Sequence, residues 1–473
     1  MKIKGNYLFL AVSALIFGVS CSREAVVIIE NTGTAPDMVL RHSVPVGRAN
    51  PMNIQDTLSG TGDIRFRVSA QHPAFVSLQD VRTPKNRVVF PVQHGKTYRL
   101  AYDGSTFTFS GPGQEAQRLY DAIPRYSHPD KESFEYAQSS VPIKPRLDSA
   151  RAAQMAPFDS LRKAHKISND LYDLIAADRE CHARNVLYRT NWYQDEEESL
   201  KIQADAFDGF DKDSDRMLGA LDYFDLMCAY AELSLMDREE EIMPLIEAGE
   251  NGKILLFYFD VYKNTLSGER VESTFAWQWI DFFLDQNYEK ELISLYEEFK
   301  QTYPHSPYLA VMKRYYDDIV AFYAPKEISD DIQFMEDTDQ IHSLDALLTR
   351  FAGRKLYVDV WATWCEPCKK EFENEDSLHE LLESKGYEML YLSVDEDRND
   401  AKWQEMVAYY RLRGHHVRAG KALVSDLRRL FDEKGSIAIP WNMIVDTQGQ
   451  IVQLHAPRPS DAAALSIALD NTK

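Results

Sequence analysis

Two cysteines separated by two residues, directly after an apolar segment, are the feature that most limits what this chain can fold into. The segment Lys355 to Trp361 is predicted to be a strand, and Cys365 is predicted to open a helix that also contains Cys368. Residues i and i+3 of a helix lie on one face, so the two sulfur atoms can come close enough to form a disulfide. Partial positive charge at the helix N-terminus favours the thiolate of Cys365, the form that attacks disulfides. The pattern predicts a thiol pair that cycles between dithiol and disulfide.

The charge of the chain limits its partners. Its 473 residues carry a formal net charge of -21 at pH 7, with 44% hydrophobic and 27% charged residues. These fractions are ordinary for globular proteins, and the length suits roughly two to four domains. An acidic surface repels phosphates, so the composition argues against a general nucleic-acid or anionic-membrane binding protein.

Residues 1–20 have the pattern of a cleaved signal peptide. Lys2 and Lys4 precede an apolar segment at residues 7–19, which is short for a membrane span. The segment is similar to a bacterial lipoprotein signal, in which Cys21 would become the lipid-carrying first residue. An ordinary secretory signal followed by a chance cysteine is the alternative. Both place the mature chain in the cell envelope, where disulfides persist. Lipidation would anchor the chain in a membrane and leave it facing the periplasm.

Two further cysteines, Cys181 and Cys228, lie within segments of helical pattern. They could form a structural disulfide, or they could pack separately as small apolar side chains. The sequence leaves both alternatives open.

Residues 21–112 are predicted to form a small β domain. Ile64, Phe66 and Val68 alternate with charged residues, which is the period of a strand with one buried face. The same alternation returns further along, with turn residues between the segments. Short strands separated by turns predict an antiparallel sandwich.

Beyond this region the periodicity changes twice. Residues 113–328 are predicted to be α-helical, because apolar residues such as Leu171 and Leu174 recur at helical spacing. An acidic stretch at 329–339 is predicted to be a linker. Residues 335–473 then alternate predicted strands and helices, which favours an α/β domain with helices on both faces of a mixed sheet.

The segment Asp359–Lys369, followed downstream by Ile439 and Pro440, resembles the redox motif of the thioredoxin fold. Among the branches of that fold it is most similar to the TlpA/ResA group of envelope thiol-disulfide oxidoreductases. Members from Bacteroidetes-type bacteria commonly carry a β domain and a helical region after a lipoprotein signal, and this chain has a similar layout. The resemblance implies a thioredoxin fold for residues 335–473. It also implies a thiol-disulfide oxidoreductase activity that needs no cofactor besides the redox-active disulfide.

The resemblance assigns roles to three residues of the motif. Cys365 would be the exposed nucleophile, and Cys368 would resolve the mixed disulfide that Cys365 forms with a substrate. Asp359 would exchange a proton with Cys368. A carboxyl group within an apolar strand has a raised pKa, which suits proton exchange near neutral pH. The alternative for Asp359 is a strand residue whose carboxylate is satisfied by the backbone.

By the same resemblance, Pro440 is a cis-proline beside the cysteine pair, and the backbone at Ile439 is left free to bind an extended substrate. Trp364 would pack beside the nucleophile at the substrate-binding surface. Two positions depart from the family pattern: Glu373 stands where a helix-kinking proline is usual, and Trp441 stands where a small residue is usual.

Glu366, between the two cysteines, bears on the direction of electron transfer. An acidic neighbour disfavours the thiolate, whereas strong oxidants stabilise it, so Glu366 favours a reductant. The implied substrates are disulfide-bearing envelope proteins. The electrons would come from a membrane thiol donor, because the sequence shows no nucleotide-binding signature.

Three other interpretations compete with this one. A structural zinc site would need two more ligands, and the adjacent His415 and His416 are poorly placed to supply them. Attachment of a c-type haem is excluded by Lys369, because a histidine would have to follow the second cysteine. A binding or scaffold lipoprotein, with the thioredoxin module in a secondary role, is a further alternative.

Overall fold

The computed structural model describes most of the chain, in the segments 24–33, 38–44, 54–69, 72–83, 85–123, 142–190, 196–284, 288–431 and 435–471. The predicted signal peptide and Cys21 lie outside these residues. Among the described segments, no helix is long and apolar enough to span a bilayer. The chain divides into two compact units, with the boundary between Leu226 and Met227. The domain bounds at residues 112, 328 and 335 stay predictions.

The N-terminal β region consists of two four-stranded sheets that share one core. Its strands are β1 (Glu24–Asn31), β2 (Met38–Ser43), β3 (Gln55–Gly60), β4 (Ile64–Ser69), β5 (Ala74–Asp80), β6 (Arg87–Val92), β7 (Thr97–Tyr102) and β8 (Phe107–Ser110). The strand orders are β4-β1-β7-β8 and β3-β2-β5-β6. Val27 of the first sheet and Leu40 and Val76 of the second belong to the same buried cluster. The predicted β domain is confirmed.

One pair of strands departs from the antiparallel prediction. β1 pairs with β7 in parallel, whereas the other strand pairs of these two sheets are antiparallel in the residues described. Parallel neighbours need a long connection, and the strands between β1 and β7 supply it. The sequence pattern identifies strands, but it does not identify which strands become neighbours.

The predicted helical region is also confirmed. Its described helices are α1 (Gln114–Asp121), α2 (Ile143–Lys163), α3 (Asn169–Arg189), α4 (Glu196–Phe207), α5 (Tyr223–Ser234), α6 (Glu239–Ala248), α7 (Asn251–Thr265), α8 (Glu269–Leu284), α9 (Glu291–Thr302) and α10 (Tyr308–Tyr323). Aromatic residues form much of the core in the later helices. Phe259 and Phe275 stack with 3.7 Å between ring centroids, and Trp279 is fully buried.

Neither Cys181 nor Cys228 takes part in a disulfide. Cys181 is fully buried in α3, where its sulfur lies 3.9 Å from the sulfur of Met217. Burial raises the pKa of the Cys181 thiol well above its usual value, so the thiol stays protonated. Of the two alternatives for these cysteines, the structure shows separate packing.

Residues from Ile332 onward build a six-stranded mixed sheet that carries helices. The strands are β9 (Ile332–Phe334), β10 (Lys355–Trp361), β11 (Tyr387–Ser393), β12 (Gly414–Arg418), β13 (Trp441–Val445) and β14 (Ile451–Gln453), in the order β14-β13-β10-β11-β12-β9. The helices are α11 (Leu344–Thr349), α12 (Glu366–Glu371), α13 (Glu375–Lys385), α14 (Asp400–Tyr410), α15 (Lys421–Phe431) and α16 (Ala462–Asp470). Strands β10, β11, β12 and β9 are parallel, and β13 is antiparallel to β10 and β14. The predicted α/β domain is confirmed.

The two faces of β10 are buried against different helices. Val358 and Val360 belong to the core cluster that includes residues of α11 and α15. Successive side chains of a strand point to opposite faces, so Asp359 and Trp361 lie on the other side. There the ring of Trp361 contacts Phe372, which directly follows α12, with 5.1 Å between ring centroids. The fold therefore places Asp359 on the same side of the sheet as the helix that carries the cysteines.

The acidic stretch 329–339 is not a linker, so this prediction is wrong. The stretch contains β9, an edge strand that pairs with β12 in parallel, and a 3-10 turn at Thr338–Gln340. An edge strand has only one neighbour and tolerates polar, exposed residues. β9 is only three residues long, Ile332, Gln333 and Phe334, and acidic residues flank it, so the sequence gives little sign of a strand here.

Candidate active site

The two cysteines lie at the start of α12, immediately after the turn that leaves β10. A disulfide joins Cys365 to Cys368. Cys365 is the N-cap residue of α12, and its sulfur accepts a hydrogen bond from the backbone N–H of Cys368 at 3.2 Å. Cys365 is 4% exposed, whereas Cys368 is fully buried. In this disulfide form Cys365 is therefore buried, not exposed as the resemblance implies, and it alone of the two cysteines keeps any solvent-accessible surface.

The turn before Cys365 is fixed by two buried charged side chains. The carboxylate of Asp395 accepts hydrogen bonds from the N–H of Thr363 at 2.8 Å and from its hydroxyl at 2.7 Å. On the other side, the ammonium group of Lys369 donates to the Thr363 carbonyl oxygen at 2.8 Å. Asp395 is 2% exposed and Lys369 is 1% exposed. These contacts bind both backbone polar groups of Thr363, and so fix the path of the chain into Cys365.

Asp359 is a buried carboxyl group on the central strand β10, with 1% of its surface exposed. Burial raises its pKa to about 7, helped by the negative charges of Glu375 and Glu371. A hydrogen bond from the side chain of Asn442, at 2.9 Å, and the charge of Arg458 oppose this rise. Asp359 can therefore exist as the acid or as the carboxylate near neutral pH.

Two further buried carboxyl groups come from the helices that cover Asp359. Glu371 accepts hydrogen bonds from the N–H and the hydroxyl of Ser460, at 2.9 and 3.0 Å. Glu375 accepts hydrogen bonds from the hydroxyl of Tyr391 and from the backbone N–H of Arg413. The sequence reasoning missed both residues. Glu371 and Glu375 follow the cysteines at i and i+4, a spacing that puts two side chains on the same face of a helix. This spacing is the sequence signal that could have identified them.

The other predicted substrate-binding residues lie immediately before β13 and immediately before Cys365. The peptide bond between Ile439 and Pro440 is cis. Pro440 is buried and Ile439 is half-buried. Trp364 is 58% exposed, so its ring is available to another molecule. Trp441 belongs to the domain core and donates from Nε1 to the carbonyl oxygen of Leu454, so it does not enlarge the exposed surface.

Glu366 does not act on the cysteines as an isolated charge. The ammonium group of Lys370 pairs with its carboxylate, one helical turn away. The side chains are 61% exposed for Lys370 and 41% exposed for Glu366, so solvent screens both charges. This pairing weakens the effect on the Cys365 thiolate that the sequence alone suggests.

The active-site helix ends without the usual proline. α12 stops at Glu371, and a 3-10 turn at Phe372–Asn374 separates it from α13. Glu373 lies within this turn. The break between the two helices is therefore present although no proline imposes it.

A metal centre does not emerge from the described residues, which contain no group of three or more His, Cys, Asp or Glu side chains arranged to hold an ion. His416 is buried, with Nε2 lying 2.8 Å from the carbonyl oxygen of Leu412. His415 pairs with Glu388 at 3.0 Å. Both histidines have their own partners in β12 and its neighbours.

A mixed sheet whose central strand leads into a cysteine pair at a helix N-terminus, with a cis-proline before the next strand, defines the thioredoxin-like class of redox domains. Residues 335–468 match the family model described as Redoxin. This C-terminal part of the chain is a Redoxin domain. The resemblance to the thiol-disulfide oxidoreductases of the TlpA/ResA group is confirmed for it.

Three comparisons illustrate the relationship. The chain is 26% identical over 106 residues to the thiol-disulfide oxidoreductase ResA of Bacillus thuringiensis subsp. konkukian, which covers 22% of this chain and 57% of that protein. It is 31% identical over 88 residues to the thiol:disulfide interchange protein DsbD of Actinobacillus pleuropneumoniae, covering 19% of this chain and 15% of that protein. The crystal structure of the thioredoxin domain of a thiol-disulfide oxidoreductase from Bacteroides vulgatus is 21% identical, with a TM-score of 0.22, and covers 26% of this chain and 81% of that one. The chain thus spans little more than half the length of the Bacillus thuringiensis ResA protein.

Proposed function

We propose that the chain is a thiol-disulfide oxidoreductase that reduces disulfide bonds of cell-envelope proteins with its Cys365–Cys368 pair. The observation that carries this proposal is the position of the pair. The two cysteines are bonded at the N-terminus of α12, and only Cys365 reaches the surface. The names of the ResA and DsbD relatives, thiol-disulfide oxidoreductase and thiol:disulfide interchange protein, support the same chemistry.

The proposed reaction begins with the reduced pair. The Cys365 thiolate attacks one sulfur of a substrate disulfide, so a bond forms between that sulfur and Cys365 while the substrate disulfide breaks. The released substrate thiolate takes up a proton. Cys368 then attacks the Cys365 sulfur, which re-forms the disulfide seen in the structure and releases the second substrate thiol. Two electrons pass from the pair to the substrate.

The second attack requires a thiolate at Cys368, which is fully buried. In the proposal Asp359 takes up the proton of this thiol. A carboxyl group with a pKa of about 7 can accept a proton and release it again near neutral pH. Trp364, which directly precedes Cys365 and is 58% exposed, and the backbone at Ile439, which precedes the cis-proline Pro440, would contact the substrate by the resemblance to the TlpA/ResA group.

The location of the protein is part of the proposal. Lipid on Cys21 would anchor the chain in an envelope membrane, facing the periplasm, and a membrane thiol donor would reduce the pair again. Labelling cells with a radioactive fatty acid tests the anchor. We expect label on the wild type and none on Cys21→Ser, and an unlabelled wild type would contradict lipidation.

Insulin reduction tests the activity. We expect the wild type to reduce insulin in the presence of dithiothreitol and Cys365→Ser to lose the activity. Cys181→Ser is the matched control, because Cys181 is buried in α3 and is not part of the redox pair. Equal rates for the wild type and Cys365→Ser would instead favour the binding or scaffold protein with a secondary thioredoxin module.

A further inference from the structure

The helical region and the Redoxin domain meet at an aromatic contact centred on Tyr288, within the second of the two compact units. The ring of Tyr288 stacks on Phe322 of α10 with 4.5 Å between ring centroids. On the Redoxin side it lies 5.5 Å from the ring of Tyr409 of α14. The ion pairs that flank this contact are Lys402–Glu289 at 2.9 Å and Lys326–Glu405 at 3.2 Å.

Tyr288 is held in an unusual backbone conformation. It is 5% exposed, and its φ angle is 44°. The left-handed region is unfavourable for a bulky side chain and persists only where the surrounding contacts determine it. One such contact is the hydrogen bond that the hydroxyl of Tyr323 donates to the carbonyl oxygen of Tyr288. The packing therefore fixes the position of this ring closely.

From Tyr288 a continuous series of aromatic contacts leads to the active-site helix. The hydroxyl oxygens of Tyr288 and Tyr410 are 3.2 Å apart. The ring of Tyr410 lies 5.3 Å from the ring of Phe372, and Phe372 lies 5.1 Å from Trp361. Phe372 is the first residue after α12, and Trp361 is the last residue of β10. The series thus reaches the two elements that flank the cysteines.

Phe372 is well placed to set the orientation of α12. The helix has six residues; Cys365 is its N-cap residue, and Cys368 lies in its first turn. No proline stands at residue 373 to impose the break between α12 and α13. In its place, Phe372 is enclosed by the rings of Trp361, Tyr391 and Tyr410. A change at Phe372 would therefore tilt the short helix and move the cysteines.

We propose that Tyr288, although it belongs to the helical region, is a positioning residue for the Cys365–Cys368 pair, acting through Tyr410 and Phe372 on the active-site helix. This inference rests on the proposed thiol-disulfide exchange. It gives the helical region a role in that reaction, because the region supplies a contact that holds the redox helix.

The test compares full-length wild type with Tyr288→Ala and Tyr288→Phe. The disulfide is equilibrated with glutathione buffers to measure its equilibrium constant. The rate at which reduced Cys365 is alkylated is measured as a function of pH, by mass spectrometry of the peptide that contains it.

A loosened α12 aligns its N-terminal amides less well with the Cys365 sulfur, which destabilises the thiolate and favours the disulfide. We expect the equilibrium constant to shift toward the disulfide by about threefold to thirtyfold for Tyr288→Ala and about twofold for Tyr288→Phe. The alkylation profile should move to higher pH in both variants.

Tyr316→Ala is the matched control. Tyr316 stacks on Tyr296 within the helical region, with 4.1 Å between ring centroids, and its loss should leave the equilibrium constant unchanged. Unchanged constants in the Tyr288 variants, or an equal shift in Tyr316→Ala, would overturn the inference. If Tyr288→Ala does not fold, as judged by circular dichroism, the result for Tyr288→Phe alone decides the test.

A wild type that does not exchange with glutathione would contradict the proposed function. Normal exchange by the wild type, with unshifted equilibrium constants in the Tyr288 variants, would contradict this inference only.

Discussion

The side-chain amide of Asn442 donates a hydrogen bond to the carboxylate of Asp359, with 2.9 Å between Nδ2 and Oδ1. The two residues are register partners on β13 and β10, and both are buried. Burial and the charges of Glu375 and Glu371 favour the neutral acid, whereas this hydrogen bond favours the carboxylate. The balance leaves the pKa of Asp359 at about 7, so its charge changes within the physiological pH range.

This pKa predicts a specific dependence of stability on pH. The folded-state pKa of about 7 lies above the usual value of 3.8, so the folded protein binds the extra proton between these pH values. The free energy of unfolding therefore falls as pH rises through this window, by at most about 4 kcal/mol from this group. Urea denaturation of wild type and Asp359→Asn at about pH 5 and about pH 9 measures the effect. The free energy of unfolding of Asp359→Asn, relative to that of the wild type, should be higher at the higher pH than at the lower pH. A difference between the two proteins that does not depend on pH would contradict the raised pKa of Asp359.

Replacement of Asn442 by leucine should raise the pKa of Asp359 further. The variant removes the hydrogen bond that favours the carboxylate and keeps a side chain of similar volume. The Oδ1 atom of Asn442 has no hydrogen-bond partner in the structure, so no other side-chain bond of that atom is lost. Carbon-13 NMR of the Asp359 carboxyl group measures the titration. A midpoint at the wild-type pH or below it would show that this hydrogen bond does not stabilise the carboxylate.

Asp359→Asn should also slow disulfide exchange. Without a carboxylate to accept the proton of Cys368, we expect insulin reduction near pH 7 to fall about a hundredfold. The first step, measured as alkylation of Cys365, should change little, because the proton in question belongs to Cys368. If Asp359→Asn reduced insulin at the wild-type rate across neutral pH, Asp359 would not transfer this proton.

Asp395→Ala should destabilise the domain through the turn at Thr363. The substitution leaves the buried N–H and hydroxyl of Thr363 without their acceptor, which costs about 3 kcal/mol of unfolding free energy. Asp397→Ala is the control, because Asp397 is 83% exposed and pairs with Arg418 at the surface. The control should lose less than about 1 kcal/mol. Equal losses in urea denaturation would show that the buried carboxylate does not hold the turn.

The elements near the cysteines could be predicted because their signals are local. β10 has the predicted bounds of Lys355 and Trp361, since an apolar run interrupted only by Asp359 follows Lys355 and defines it. β9 and β12 could not be predicted in the same way. They are short, contain polar residues such as His415 and His416, and depend on pairing partners that are distant in sequence. The parallel pairing of β1 with β7 could not be predicted for the same reason, because the two strands are distant in sequence.

The residues of the candidate site that belong to the sequence motif could be predicted, whereas those contributed by other elements could not. The motif supplies Cys365, Cys368 and the buried strand position of Asp359 directly. The groups that set the pKa of Asp359 come from other elements, and only the folded sheet and helices bring Asn442 and Glu375 to it. The buried partners of Thr363 were missed for the same reason.

In the proposed reaction, Cys365 attacks a substrate disulfide and Cys368 resolves the mixed disulfide. The most direct measurement expresses Cys368→Ser in the cell envelope and identifies its mixed disulfides by mass spectrometry, with Cys365→Ser/Cys368→Ser as the control. We expect envelope proteins to accumulate on Cys368→Ser, each linked through Cys365, and none to accumulate on the double variant. Conjugates of equal abundance on both variants, or conjugates linked through another cysteine, would contradict the proposed reaction.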